Sequence, residues 1–339
     1  MGCSDDSGPP APRLTLRQVS VTPTAPSKVS VFFTVDTATG DPVTDLQNAD
    51  VTLFEDSSRL SALETQQHLG KSAASFRAYT AIVLDTTGSV IRGNSLPAVQ
   101  SAATALAQQL TAAGAEHYVG VFTFDGRPML TMVQAFTNTQ ENLTSAIAAI
   151  STRQCDTSVD CTMADHNTCV LGSDTGLCID DSTNLYGAFV EGLSTLDTTL
   201  SGATGVPYKI GSLVVFTDGT DQAGRVSRDT AFNRVNNSDH FVYAVGLGSE
   251  VDMAFLNLAG KDGVRLISTT ADLTGAFTAA GNGILQQTGR YYLLEYCSPK
   301  RSGRHEVTLR AVRDEAEGQL TASFSADGFT SGCTITSAL

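Results

Sequence analysis

Tryptophan is absent from the 339 residues and basic side chains are scarce, with 21 Lys and Arg against 35 Asp and Glu, a formal charge of −14. That balance argues against nucleic acid or anionic lipid as a partner, since phosphate contacts need cationic side chains to displace counterions. It suits cation binding instead. Long apolar runs are also missing. No stretch reaches the roughly 18–20 residues a spanning helix requires. The first thirty residues are polar and rich in Pro, Ser and Thr, unlike a signal peptide, so any export signal is expected to have been removed already. The five histidines are scattered, and neither an H-E-x-x-H nor a G-x-S-x-G pattern occurs. No residue set is therefore present for zinc-protease or serine-hydrolase chemistry, and the chain is not expected to be an enzyme. "GKS" at Gly70–Ser72 lacks the glycine that a phosphate loop needs five residues earlier, where Thr65 stands. Asn142 and Asn236 match glycosylation acceptors, which matter only in a eukaryotic secretory route.

Hydrophobic residues make up 41% of the chain, enough for ordinary globular cores at this length. Seven cysteines fall in three groups: Cys3; Cys155, Cys161, Cys169 and Cys178; and Cys297 with Cys333. The middle four have C-x5-C-x7-C-x8-C spacing, wider than the C-x2-4-C knuckle of structural zinc sites, so disulfides and an oxidising compartment are expected. Their pairing is left open. Cys297 and Cys333 lie on or beside predicted strands and are placed to pair, which leaves Cys3 over. "MGCSDDSGPPAP", with a small residue before Cys3 and a polar tether after it, resembles the mature start of a bacterial lipoprotein. A lipid on Cys3 would then be the chain's membrane attachment. N-myristoylation fits less well, because its pattern wants a hydroxyl where Asp6 stands.

Patterning divides the chain into four parts. Residues 1–12 read as a disordered tether. Residues 13–79 hold a β segment, with period-two alternation in "RLTLRQVSV", "KVSVFFTVD" and "ADVTLFED", followed by a connection without clear assignment. Residues 80–288 alternate short apolar strands with helical stretches, the mark of βαβ units around a mostly parallel, doubly wound α/β sheet. Predicted strands are "YTAIVLD", "HYVGVFTF", "IGSLVVFTD", "HFVYAVGLG" and "VRLIS". Residues 289–339 return to alternation. Neither flanking β part has strands enough to close a core alone, so the two are expected to pack as a smaller β-sandwich-like domain. Residues 151–182, dense in Cys and Asp with no clear period, interrupt the α/β part as a long insert, which is expected to be stapled or functional.

In open α/β sheets ligands bind where strands end and loops lead into helices. "IVLDTTGSVI" places Asp85, Thr87 and Ser89 at such a junction, Thr183 follows the insert in "DDSTNLYGAF", and Asp218 ends a strand in "VVFTDGTD". This D-x-[ST]-x-S spacing, with a Thr on a second loop and an Asp on a third, resembles the metal-ion-dependent adhesion site of von Willebrand factor A domains. "VDTATGDPVTDLQNADVTLFEDS" and "YYLLEYCSPKRSGRHEVTLRAV" also look like the β segments flanking such domains in bacterial secreted proteins. The resemblance implies Mg2+ (or Ca2+ or Mn2+) on direct hydroxyls from Thr87 and Ser89, coordination by Thr183 in some states, and Asp85 and Asp218 acting largely through water. It further implies an exported cell-envelope or cell-surface protein that captures an exposed acidic residue of a protein partner, or else a structural envelope component whose metal site is vestigial or merely stabilising. Thr87 departs from the family's usual Ser. Within the insert Asp156, Asp160, Asp165, Asp174, Asp180 and Asp181 form no D-x-[DN]-x-[DN]-G calcium loop, and His166 beside Asp165 reads as a solvated polar residue. Because the insert directly precedes Thr183, it is expected beside the metal face, where it would shape partner choice.

Overall fold

The computed structural model describes residues 13–70, 75–151, 154–162, 168–173 and 175–335. Cys3 and its tether, Asp165, His166 and Asp174 lie outside the described residues. The chain divides into two compact units, residues 1–71 with 286–339, and residues 72–285.

The first unit draws its strands from both ends of the chain. The N-terminal part supplies β1 (Leu14–Thr24), β2 (Lys28–Thr37), β3 (Val51–Glu55), β4 (Ser58–Arg59) and β5 (His68–Leu69). The second unit then contributes β6 (Phe76–Asp85), α1 (Gly88–Arg92), α2 (Leu96–Ala113), β7 (His117–Phe124), β8 (Thr131–Thr137) and α3 (Gln140–Ala149). Next come β9 (Thr168–Leu171), β10 (Gly176–Ile179), α4 (Leu185–Gly202), β11 (Tyr208–Thr217), α5 (Arg228–Asn236), β12 (Phe241–Leu247), α6 (Met253–Ala259), β13 (Gly263–Ile267) and α7 (Leu273–Gly289). The chain finishes in the first unit with β14 (Tyr291–Cys297), β15 (Arg304–Arg313) and β16 (Ala316–Ser325).

Two four-stranded sheets build the first unit, in orders β1-β2-β14-β5 and β16-β15-β3-β4. Alternation explains them. Val307, Leu309 and Ala311 of β15 point inward, meeting Val51 and Leu53 of β3 and Phe33, Leu294 and Tyr296 of the other sheet in one core. Glu55 follows the same inward register and is 1% exposed, and it accepts a hydrogen bond from the Tyr296 hydroxyl at 2.8 Å. Cys297 and Cys333 form a disulfide.

The second unit is a six-stranded sheet in order β13-β12-β11-β6-β7-β8, parallel except for the antiparallel edge strand β8. Period two decides its layers. Ile82 and Leu84 of β6 join α2, α3 and α7 on one face, while Ala81 and Val83 join α4, α5 and α6 on the other. Here β6 already pairs at Phe76 with Tyr208, so the α/β unit starts earlier than the expected residue 80.

Three features lacked a readable period. β8 is an irregular edge strand whose pairing with β7 shifts register twice. α6 spans two turns and is marked by Asp252, whose side chain accepts from Phe255 N at 3.0 Å. The insert, expected to be without period, contains the β9–β10 hairpin, whose strands are too short for a period to show. Disulfides Cys155–Cys169 and Cys161–Cys178 tie the preceding loop to each strand of that hairpin. The sulfurs of Cys155, Cys161 and Cys169 lie within 4.8 Å of one another, but in disulfides they offer no thiolate to a metal. Val170, Leu177 and Ile179 are buried in the sheet's core, so the hairpin is packed down, not a loose loop.

Candidate metal centre

Three loops at the C-terminal edge of the parallel strands meet around Asp85. This residue ends β6 fully buried, because the strand carries it to the sheet edge under α1. Its Oδ1 accepts from Thr87 N at 2.9 Å and Thr87 Oγ1 at 2.6 Å, and its Oδ2 accepts from Thr217 Oγ1 at 2.7 Å. Ser89 Oγ lies 3.2 Å from Thr87 Oγ1 and donates to Asp218 Oδ1 at 2.5 Å. Thr87 with Asp85 and Ser89 with Asp218 thus form two hydroxyl–carboxylate pairs whose hydroxyl oxygens lie side by side. Thr183 lines the same small pocket, of about 160 Å³, together with Thr87 and Ser89. Its carbonyl accepts from Gln222 N at 2.8 Å and Ala223 N at 3.0 Å, which locks the second loop to the third.

Electrostatics makes the cluster short of positive charge. Burial, and then the charge of Asp218, push the Asp85 carboxyl up to about 7, although the hydrogen bonds from Thr87 and Thr217 pull the other way. Burial also raises Asp218, aided by Glu250 and opposed by the Ser89 hydroxyl. Hydroxyls that give their protons to carboxylates keep their lone pairs free, so Thr87 and Ser89 can face a cation while Asp85 and Asp218 hold them in place. The donor set is all oxygen, which suits Mg2+, Ca2+ or Mn2+ rather than a thiolate-seeking metal. The residues present therefore fit a hard divalent ion.

Sequence reasoning missed three members of this site, Thr217, Arg92 and Glu250, and named Asp181 only among the insert's acids. Thr217 directly precedes Asp218 and is the second support of Asp85. Arg92, Asp181 and Glu250 also line the pocket. Arg92 lies one helical turn beyond Ser89, a spacing that could have pointed to it. Two other acids of the insert are engaged: Asp160 accepts from the backbone of Asp156 and Thr157 at 2.8 and 2.9 Å, and Asp180 accepts from Arg225 Nη2 at 3.0 Å. A larger cavity of about 340 Å³ lies between α3, the β7–β8 edge and the insert hairpin, but none of its described lining residues is acidic.

No protein-family profile matches the sequence, and no curated protein matches it. Among solved structures, the chain is similar to a von Willebrand factor type A protein from Catenulispora acidiphila, at 11% identity and TM-score 0.46, over 97% of this chain and 76% of that one. It is also similar to the vWF domain of the type V pili tip protein Mfa5 from Porphyromonas gingivalis, at 11% identity and TM-score 0.43, over 63% of this chain and 96% of the other. A third is proximal thread matrix protein 1 from the mussel byssus with a zinc-occupied MIDAS motif, at 14% identity and TM-score 0.41, over 69% of this chain and 49% of the other. At these identities the likeness concerns the fold alone.

Proposed function

We infer that the chain is a divalent-cation-dependent protein-binding module, holding Mg2+, Mn2+ or Ca2+ at Asp85, Thr87, Ser89, Thr183 and Asp218 to capture an acidic group of a protein partner. The observation that carries this reading is the pairing of the Thr87 and Ser89 hydroxyls with the carboxylates of Asp85 and Asp218 behind them, the two hydroxyl residues lining a pocket that Thr183, Asp181 and Glu250 also line. A bound cation would supply the charge that attracts a carboxylate. This chain's own contribution is to orient the hydroxyls and keep the carboxylates behind them. The three disulfides support export to an oxidising compartment, and with it a place at the cell envelope where Cys3 would carry a lipid.

Calorimetry with Mg2+ and Mn2+ on wild type, Asp85→Ala and the more exposed Ser89→Ala tests the reading. Wild-type heats that both variants lose are expected, and equal heats in all three proteins would sink it. One observation favours a second reading, a structural component whose cation only stabilises. Both Asp85 oxygens are already bonded by Thr87 and Thr217, so the turn has internal support without a metal. Partner capture that persists in chelator would favour that alternative.

A further inference from the structure

One ion pair on the metal face has no role in the hydroxyl–carboxylate pairs just described. Arg92, on α1, bonds through Nη2 to Asp181 Oδ2, the last acid before Thr183. Both side chains line the same pocket as Thr87, Ser89 and Thr183. The pair lies directly over Gly88, between Thr87 and Ser89: a Cβ there would collide with Asp181 Oδ1 and Arg92 Nη1. The backbone beside Asp181 is anchored. Its neighbour Asp180 accepts from Ser182 Oγ at 2.8 Å and Arg225 Nη2 at 3.0 Å, and Gly126 N donates to the Asp180 carbonyl at 3.2 Å. The disulfide-stapled hairpin ends immediately before these two acids.

We propose that Arg92 is a specificity-determining residue that grips the incoming carboxylate, and that Asp181 is an intramolecular placeholder which must leave it first. This rests on the function inferred above and names how that site selects its partner. The pocket's small volume keeps Arg92 and the hydroxyl cluster within one cavity, so a carboxylate entering toward the cluster also meets a guanidinium. A guanidinium presents a fork of donors that matches two carboxylate oxygens, and Asp181 already bonds one arm of it through Nη2. The pair is also easy to open. Side-chain exposures of 55% for Arg92 and 31% for Asp181 mark a solvent-screened contact, so an incoming acid exchanges one carboxylate for another at little cost.

Opposite signs make the proposal testable. Near the cation, loss of Asp181 weakens metal binding and loss of Arg92 strengthens it, by charge alone. For an incoming carboxylate at saturating metal the order reverses. The experiment first measures Mn2+ affinity of wild type, Asp181→Asn, Arg92→Gln and Asp85→Ala by calorimetry, then acetate affinity of the Mn2+-saturated proteins from relaxation enhancement of the acetate methyl protons. Asp181→Asn is expected to bind acetate about three- to fivefold more tightly and Arg92→Gln correspondingly more weakly. Mn2+ binding with acetate affinities equal across wild type and both variants overturns the placeholder while leaving the metal site intact. Absence of Asp85-dependent Mn2+ binding overturns the metal-site reading, and the placeholder with it. Both substituted side chains are at the surface, and circular dichroism confirms that the variants are folded before the titrations.

Discussion

Gly88 separates two uses of one residue. Its place in the turn puts Thr87 and Ser89 on either side, and its missing side chain leaves room for Arg92 and Asp181 to cross above it. Gly88→Ala is therefore expected to displace that pair and little else, because the atoms a Cβ would meet are the ends of flexible side chains. A surface ion pair is worth about 0–1 kcal/mol, so thermal unfolding should shift by only a few degrees, and a large loss of stability would mean that the pair is structural. His305 supplies a second residue-scale test, in the other unit. Its Nε2 is 2.8 Å from the Ser302 carbonyl and its Nδ1 2.7 Å from Asp56, and these partners raise its pKa above the usual 6.5. Because the folded value is raised, the stabilisation is full below about pH 6.5 and is lost as pH rises through the folded value. Urea midpoints measured from pH 6 upward should fall through this range in wild type, and His305→Gln should flatten that part of the fall.

At the scale of elements, the insert is where a short-range reading of the sequence reached its limit. Cysteine spacing was enough to set disulfides against zinc, but four-residue strands such as β9 and β10 carry too few positions to display alternation, so the hairpin was illegible. The long helices α2 and α4 were legible because several turns repeat the same apolar stripe, whereas α6 depended on a cap at Asp252 and two turns. The site followed the same logic. Asp85, Thr87 and Ser89 lie close in sequence with Arg92 one helical turn further on, while Thr217 acquires meaning only once β6 and β11 are side by side. Replacing Cys155 and Cys161 with Ser is expected to remove both staples. Loops of this size are worth about 2–4 kcal/mol per disulfide, and hydrogen exchange should rise first across 168–179 if the hairpin opens separately from the sheet. Uniform loss of protection across the sheet would mean instead that the hairpin and the sheet open as one unit.

The whole molecule is organised by an interruption. Lys28 of β2 donates to Glu295 of β14 at 2.8 Å across 267 residues of sequence, and everything between β5 and β14 that builds the second unit must be accommodated before that bond can form. The second unit is continuous in sequence and the first is not. A chain emerging in order from its N-terminus therefore has β1 to β5 exposed and unpaired with β14 and β15 while the whole α/β unit is made, and the first core can close only when the last strands arrive. Prior folding of the α/β unit replaces a long flexible loop with a compact body, which lowers the entropy cost of that closure. The cluster of Asp85, Thr87, Ser89 and Asp218 lies wholly within the continuous unit, so a chain folding in order of synthesis would assemble that cluster before the closing strands of the other unit arrive.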